Sequence, residues 1–204
     1  MAKVDEKNLG AIRGLYKVGL SIREIACKYS VSVDAMFYFF RKHKIKRRTA
    51  KESNKFLFER KEASFYIKKK LNIKEESLKT AGIMLYWAEG SKWDGEKIVD
   101  FANSDPDMIK TFLVFLREIC GVDESKLRVY LYCFSNQDVN RLKKFWSKET
   151  DINLNQFTKP YIKNDYNLSK TSKMKHGLIH IRYNDKKLLQ QIRNWIEEYK
   201  NKYN

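Results

Sequence analysis

Glu89 is the side chain whose place in the sequence best suits catalysis. It follows the run LKTAGIMLYWA over residues 78–88. As a helix this run would be apolar nearly all round, which predicts burial on several sides. A carboxylate at the end of such a helix carries a desolvation cost that a metal ion, a cation or hydrogen bonds commonly offset. Two interpretations stay open: an acid that binds a metal, or a helix-end acid bonded to local amides or a lysine.

Other catalytic patterns are missing from the sequence. The chain has only 8 glycines and no glycine-rich phosphate loop, and it has no nucleophile triad. The histidines have no ligand spacing, which favours structural or phosphate-contacting roles; they are His43, His176 and His180. The three cysteines lie far apart without a CxxC pair, which argues for reduced thiols in a cytosolic protein rather than a zinc ribbon. We therefore expect no small-molecule cofactor.

The charge of the chain is concentrated near its beginning. Its 204 residues carry 42 Lys and Arg against 25 Asp and Glu, a net charge of +17. Residues 1–74 hold +13 of this charge, and residues 41–74 alone have 14 basic and 3 acidic side chains. A solvated surface in a lysine-rich proteome would spread charge evenly, so this clustering favours a polyanionic partner.

Nucleic acid suits this charge better than a membrane does. The basic stretch has no sustained amphipathic face and no lipidation signal, and no apolar run approaches the roughly 20 residues of a membrane span. The start MAKVDEKN does not read as a signal peptide. With 43% apolar residues, the chain is also too hydrophobic for a disordered basic tail. We expect a cytoplasmic, nucleoid-associated protein.

Three short helices are predicted within residues 1–50. The first covers about residues 5–18, and the second begins at a capping box formed by Ser21 and Glu24. The third begins after Val31 and Ser32, with Met36 and Phe40 facing inward. Residues 51–76 have helical composition without Gly or Pro, and predict a basic helical connector.

Residues 77–204 predict an α+β domain. The order of elements is helix, strand, helix, strand, helix, two strands and helix, which we interpret as an antiparallel sheet with helices on one face. Residues 126–133 alternate strictly between polar and apolar, a basic strand follows over residues 156–163, and a polar loop covers residues 164–175. The open face of the sheet is expected to carry six side chains: Arg128, Tyr130, Tyr132, Lys159, His180 and Arg182. Such a face suits phosphates and base edges, although a plain solvated face is the alternative.

Residues 19–48, GLSIREIACKYSVSVDAMFYFFRKHKIKRR, resemble a helix-turn-helix of the homeodomain-like, resolvase-type class. The resemblance is carried by Ala26, Val31, the cap Ser32 and the basic exit. It implies that the third helix enters the major groove of DNA. The side chains placed against bases are then Val33, Asp34, Phe37 and Tyr38, and those placed on phosphates or in the basic arm are Arg41, Lys42, Lys44, Lys46, Arg47 and Arg48. A three-helix bundle for protein contacts is the alternative.

Residues 82–93, GIMLYWAEGSKW, with the following FANSDPDMIKTFLVFLREICGVDESKL resemble single-motif LAGLIDADG homing endonucleases and their relatives. The resemblance covers residues 77–204, and Gly82 to Gly90 span the motif. It implies a motif helix that packs against a second copy, and strands that form a saddle over the major groove. It also implies that Glu89 holds a divalent metal, Mg²⁺, as the catalytic acid. Met84 and Trp87 stand where the family has small residues.

Together these resemblances imply a sequence-specific protein that binds double-stranded DNA. If it is active, it cleaves phosphodiesters with Mg²⁺ as a homodimer, because only one motif copy is present, and its site is then near-palindromic. The alternative is a non-catalytic transcriptional regulator built from the same parts. RNA binding through the aromatic and basic sheet face is a third possibility.

Overall fold

A computed structural model describes residues 4–164 and 174–203 of the chain and divides it into two units, Met1–Glu62 and Ala63–Asn204. The fold class is α+β, and the described residues form eight α-helices and a four-stranded sheet. Each unit has a hydrophobic core of its own. Most of the predicted polar loop 164–175 lies outside the described residues.

The first unit contains a 3₁₀ turn and four helices: Glu6–Asn8, then α1 (Leu9–Lys17), α2 (Ile22–Lys28), α3 (Val33–Lys42) and α4 (Ala50–Arg60). The predicted capping box is confirmed, since the Ser21 hydroxyl accepts from the Glu24 amide and the Glu24 carboxylate accepts from the Ser21 amide. Thr49 and Glu52 form a second capping box at α4, whereas the Ser32 hydroxyl alone caps α3 by accepting from the Ala35 amide. Six apolar side chains are buried where α1, α2 and α3 meet: Ile12, Ile25, Ala26, Met36, Phe39 and Phe40.

The predicted helical connector over residues 51–76 is wrong in its middle part. Helix α4 ends at Arg60, and residues 61–72 are not helical. From Ala63 onward this segment belongs to the second unit, and within that unit the Lys68 amide donates to the Ile119 carbonyl at 2.9 Å. Helical composition alone could not reveal this pairing, because tertiary hydrogen bonds override a weak local propensity.

The second unit contains four helices and four strands: α5 (Ile73–Glu89), β1 (Val99–Asn103), α6 (Pro106–Val114), β2 (Leu127–Phe134), α7 (Val139–Thr150), β3 (Tyr161–Lys163), β4 (Leu178–Tyr183) and α8 (Lys186–Tyr203). A π-helical turn over Phe115–Ile119 continues α6. Asp105 caps α6 with Pro106 at its first position, as the sequence predicts. The strand order across the sheet is β1-β4-β2-β3.

The sheet is mixed, which corrects the predicted antiparallel sheet. Strand β4 runs antiparallel to both β1 and β2, but β3 runs parallel to β2. The reason is α7, which lies between β2 and β3 in the chain and carries the backbone back to the end where β2 began. Strand β3 is also shorter than predicted and begins only at Tyr161, since Pro160 has no amide hydrogen to give to a ladder.

Strict alternation divides the two faces of the sheet. The predicted inward residues of β2 are confirmed as buried, and they pack with apolar side chains of the helices; they are Leu127, Val129, Leu131 and Cys133. Ile179 and Ile181 of β4 face the same core. Helices α5 to α8 therefore cover one face, and the opposite face presents the polar residues of the strands.

Candidate nucleic-acid interface

Helix α3 has one exposed face, which carries three of the residues predicted to contact DNA. Asp34, Tyr38 and Arg41 follow one another at helical spacing, and all three are exposed, Tyr38 to 60%. Phe37 is only half-buried, and the Arg47 guanidinium lies 5.6 Å from the centre of its ring. The buried side of α3 holds Met36, Phe39 and Phe40, so its polar side is free of the core.

The segment after α3 is basic and largely exposed. Lys44, Lys46 and Arg47 are all exposed, and Lys44 has a positive φ of 50°, which turns the chain away from the helix. Lys42 differs from them because its ammonium is paired with the carboxylate of Glu6. This pairing raises the pKa of Lys42 and neutralises its charge locally.

Arg48 packs inside the first unit, unlike its neighbours. Its guanidinium lies 4.1 Å from the centre of the Tyr16 ring and 4.6 Å from that of Phe56. The guanidinium also donates to the carbonyl of Leu20, while the Arg48 amide donates to the Tyr16 hydroxyl at 2.7 Å. These contacts join α4 to α1 and give Arg48 a structural role.

The open face of the sheet is arranged in rows across the strands. In the first row Asp100, Arg182 and Arg128 lie side by side, and in the second row His180 is opposite Tyr130. The Arg182 guanidinium lies 4.6 Å from the centre of the Tyr130 ring, and the Tyr130 and His180 rings meet edge to face at 5.6 Å. The structure thus brings together four of the predicted sheet residues.

Two further predicted sheet residues occupy the region near β3. Tyr132 stacks on Tyr161 with ring centres 5.0 Å apart, and Tyr161 is 50% exposed. Lys159 is exposed but precedes β3, so it is not a strand residue of the open face as predicted. Arg128 is exposed and donates from Nη1 to the carbonyls of Ser125 and Leu127.

Asp100 is the member of this face that sequence reasoning missed. It is only 9% exposed, and its carboxylate accepts from Arg182 Nε at 2.8 Å and lies 2.8 Å from His180 Nδ1. Burial acts to raise the pKa of Asp100, but the hydrogen bond and charge of His180, followed by those of Arg182, outweigh it and lower the pKa. The sequence contains a signal for this position. Side chains alternate along a strand, so Asp100, between the apolar residues Val99 and Phe101, must lie on the open face.

Glu89 is exposed at the last position of α5, which removes the desolvation cost expected for it. Gly90 follows, and a Cβ there would lie 2.5 Å from the Tyr86 carbonyl oxygen, so this position needs glycine. Over residues 4–164 and 174–203, no group of three or more His, Cys, Asp and Glu side chains is arranged to hold a metal ion. In one chain Glu89 is therefore not part of a complete ligand set among the described residues.

Four of the other groups considered for chemistry have packing roles, whereas Cys27 is an exposed free thiol. Cys120 and Cys133 are buried as free thiols, and burial raises the pKa of both. The ring of His43 lies 4.3 Å from that of Phe39, and His176 stacks on Phe145 at 3.8 Å. The predicted site residues that stay candidates for binding a ligand therefore lie on α3, on the basic segment after it and on the open face of the sheet.

Comparisons with known proteins do not place the chain in a family. No family model, no curated protein and no solved structure matches it. Among the described residues, no helix combines the length and apolar character that crossing a membrane requires.

Proposed function

We propose that this chain binds double-stranded DNA in a sequence-specific manner. The observation that carries the proposal is a set of four exposed cations on α3 and the segment after it, none of which forms an ion pair within the described residues: Arg41, Lys44, Lys46 and Arg47. The first unit carries 16 Lys and Arg against 7 Asp and Glu over 62 residues. Free cations concentrated on one segment favour a polyanion over a protein partner.

In the proposed complex, α2 and α3 act as a helix-turn-helix. The two helices are joined by the four residues 29–32, and Ser30 has a positive φ of 52° in this turn. Helix α3 would lie in the major groove with Asp34 and Tyr38 towards base edges, and Arg41 and the following basic residues would contact phosphates. Arg48 and Lys42 are left out of this set, because both are engaged within the unit.

The open sheet face of the second unit is the second proposed DNA-contacting surface. Arg128, Arg182 and His180 supply donors for phosphates and acceptor atoms on bases, and Tyr130 and Tyr132 supply hydroxyls. Two separate surfaces on one chain would lengthen the site that is read. This supports recognition of a particular sequence rather than of charge alone.

The test is selection of bound duplexes from a random library by the full chain, with Mg²⁺ present. We expect a motif in the bound pool, and a variant with Arg41→Ala and Arg47→Ala should lower the salt dependence of log affinity by about 2, or about 1 per lost phosphate contact. Lys144→Ala is the matched control, since Lys144 is an exposed lysine of α7. A pool without a motif, or single-stranded RNA that competes as well as the selected duplex, would overturn the proposal.

Cleavage of the bound DNA is a second candidate function. Glu89 lies at the C-terminal end of α5, where the helix dipole is negative, so a divalent cation beside it would be stabilised. Because residues 4–164 and 174–203 contain no group of three or more His, Cys, Asp and Glu side chains arranged to hold a metal ion, we place a Mg²⁺ site between Glu89 and Glu89 of a second copy. Strand breaks in the selected pool that are lost in Glu89→Gln would support this function. Tight binding without breaks would support the non-catalytic regulator.

Helix α5 offers a face for such a second copy. Its exposed or half-buried stripe consists mainly of small and apolar residues, with two hydroxyls, and Glu76 borders it; the stripe contains Ile73, Ser77, Thr80, Ala81, Met84 and Ala88. Both hydroxyls donate to carbonyls of the helix itself, so neither requires solvent. Sedimentation of the full chain with and without the selected duplex tests this part, and Thr80→Lys should abolish a dimer if one forms through α5.

A further inference from the structure

Asp100 is a buried carboxylate on a sheet face that otherwise presents cations and aromatic rings. Its side chain is 11% exposed, whereas the side chains bonded to it, those of His180 and Arg182, are 25% and 34% exposed. A buried acid cancels part of the positive charge of this face, which weakens any attraction to phosphates. Its presence therefore does not serve affinity for nucleic acid in general.

The geometry around Arg182 indicates what Asp100 does. Asp100 Oδ2 accepts from Arg182 Nε at 2.8 Å, and the guanidinium lies against the Tyr130 ring at 4.6 Å. The flexible arginine is thus held at two points, one polar and one aromatic. The structure records no other hydrogen bond of Arg182 among the described residues, so its Nη1 and Nη2 groups keep their donors.

A fixed pair of guanidinium donors matches one base edge in particular. Guanine presents two acceptors, O6 and N7, to the major groove, and a bidentate arginine is the most frequent specific contact to that edge. A mobile arginine, in contrast, binds phosphates of any sequence as readily as it binds a base. Fixing the side chain in advance favours the contact that needs a defined geometry.

We infer that Arg182 recognises a guanine in the DNA site and that Asp100 is the positioning residue that makes this contact specific. The inference rests on the proposed function, because it assumes that the open sheet face meets the major groove. His180 is the second group held by Asp100, and its Nδ1 is engaged at 2.8 Å, which leaves Nε2 for the ligand. Asp100 thereby lowers the affinity of this face for DNA of any sequence and raises its selectivity for guanine.

This role makes a prediction that a purely structural role does not. Asp100→Asn removes one negative charge from the face and leaves a single neutral acceptor oxygen where His180 and Arg182 had one each, so Arg182 is held less firmly. Affinity for scrambled DNA should then rise while the preference for guanine falls. The slope of log affinity against log salt on scrambled DNA should steepen by up to about 0.9, the value for one further neutralised phosphate. A variant that merely loosened the sheet would weaken binding to all duplexes.

The experiment measures dissociation constants of the full chain for the selected duplex, for duplexes with each guanine replaced by adenine, and for a scrambled duplex over a series of salt concentrations. At one position the parent should prefer guanine by roughly 5- to 150-fold, the equivalent of about 1–3 kcal/mol for a bidentate pair. Arg182→Lys, which keeps the charge but loses the planar fork, should remove this preference. Asp100→Asn should reduce it, although Arg182 is still present.

Glu118→Gln is the matched control, because it makes the same change in charge at an exposed residue of the helical layer. It should leave both the guanine preference and the salt slope as in the parent. The inference is overturned if Asp100→Asn keeps the parent's preference, or if it weakens selected and scrambled duplexes equally. If Asp100→Asn fails to fold, as judged by tryptophan fluorescence, Arg182→Lys decides: an unchanged preference overturns the inference. If the parent chain selects no duplex, the proposed function itself is wrong, and this result is distinguishable from a failure of the inference about Asp100 and Arg182.

Discussion

Arg47 and Arg48 are adjacent arginines to which the structure gives different tasks, and this difference can be measured. Arg48→Ala removes a charged hydrogen bond to the Leu20 carbonyl and ring contacts with Tyr16 and Phe56. A charged hydrogen bond contributes roughly 1.5–3 kcal/mol, and each cation–π contact about 0.5–2 kcal/mol. Since Arg48 is half-buried, we expect the first unit to lose about 2–4 kcal/mol of its free energy of unfolding.

Arg47→Ala is the counterpart, because Arg47 is exposed and its guanidinium lies 5.6 Å from the centre of the Phe37 ring, farther than Arg48 lies from either of its two rings. It should lower the stability of the first unit by less than about 1 kcal/mol. Its effect should fall on DNA, with weaker binding to all sequences and a salt slope reduced by about 1. The two variants therefore separate folding from binding at neighbouring positions of identical chemistry.

Urea denaturation of the full chain distinguishes the units by their spectroscopic signals. All tryptophans of the sequence, Trp87, Trp93, Trp146 and Trp195, lie in the second unit. Arg48→Ala should shift an unfolding transition seen by circular dichroism and leave the transition seen by tryptophan fluorescence in place. If Arg47→Ala destabilises the first unit more than Arg48→Ala does, our assignment of the two side chains is wrong.

Two further substitutions test the packing and the electrostatics of the second unit. A Cβ at Gly82 would lie 2.1 Å from the Phe115 ring, so Gly82→Ala should lower the free energy of unfolding by about 1–3 kcal/mol, measured by tryptophan fluorescence. Gly10→Ala is its control and is followed by circular dichroism, because Gly10 lies in the first unit; nothing lies within 4 Å of that position, so no loss of stability is expected. Burial raises the pKa of Asp185, but hydrogen bonds from Ser64 and neighbouring amides outweigh it and lower the pKa. Asp185→Asn should therefore destabilise the unit at neutral pH, and the difference should shrink as the pH falls below the ordinary pKa of aspartate; a pH-independent difference would contradict this.

The parts of the fold that the sequence predicts correctly depend on neighbours in the chain. The capping box at Ser21 and the Asp105–Pro106 start of α6 are satisfied within three residues. The alternation over residues 126–133 needs only a core on one side of the strand. Such signals are local, so they survive without knowledge of the tertiary structure.

The parts that the sequence could not reveal depend on distant partners. Asp100 and Arg182 are 82 positions apart, and a charge count cannot show that they meet. Residues 61–72 have helical composition, but the hydrogen bonds that hold them extended come from residues near position 120. The parallel pairing of β3 with β2 could have been predicted from the sequence, because a helix between two strands is typical of a parallel crossover.

The candidate site follows the same division. The sequence identifies the exposed polar face of α3, because the apolar residues of that helix are spaced for burial on the other side. It cannot separate Arg48 from Arg47, since only the structure shows which of the two lies between aromatic rings. Likewise, the sequence predicts a desolvation cost for Glu89, but the last three residues of α5 are exposed: Trp87, Ala88 and Glu89.

The most direct test of the central claim is the affinity of the full chain for the duplex it selects, compared with a scrambled duplex of equal length, by fluorescence anisotropy over a series of salt concentrations. Sequence-specific DNA binding predicts at least roughly 10³-fold tighter binding to the selected duplex and a loss of affinity for both duplexes as salt rises. Equal affinity for the two duplexes, or affinity that does not change with salt, would contradict it.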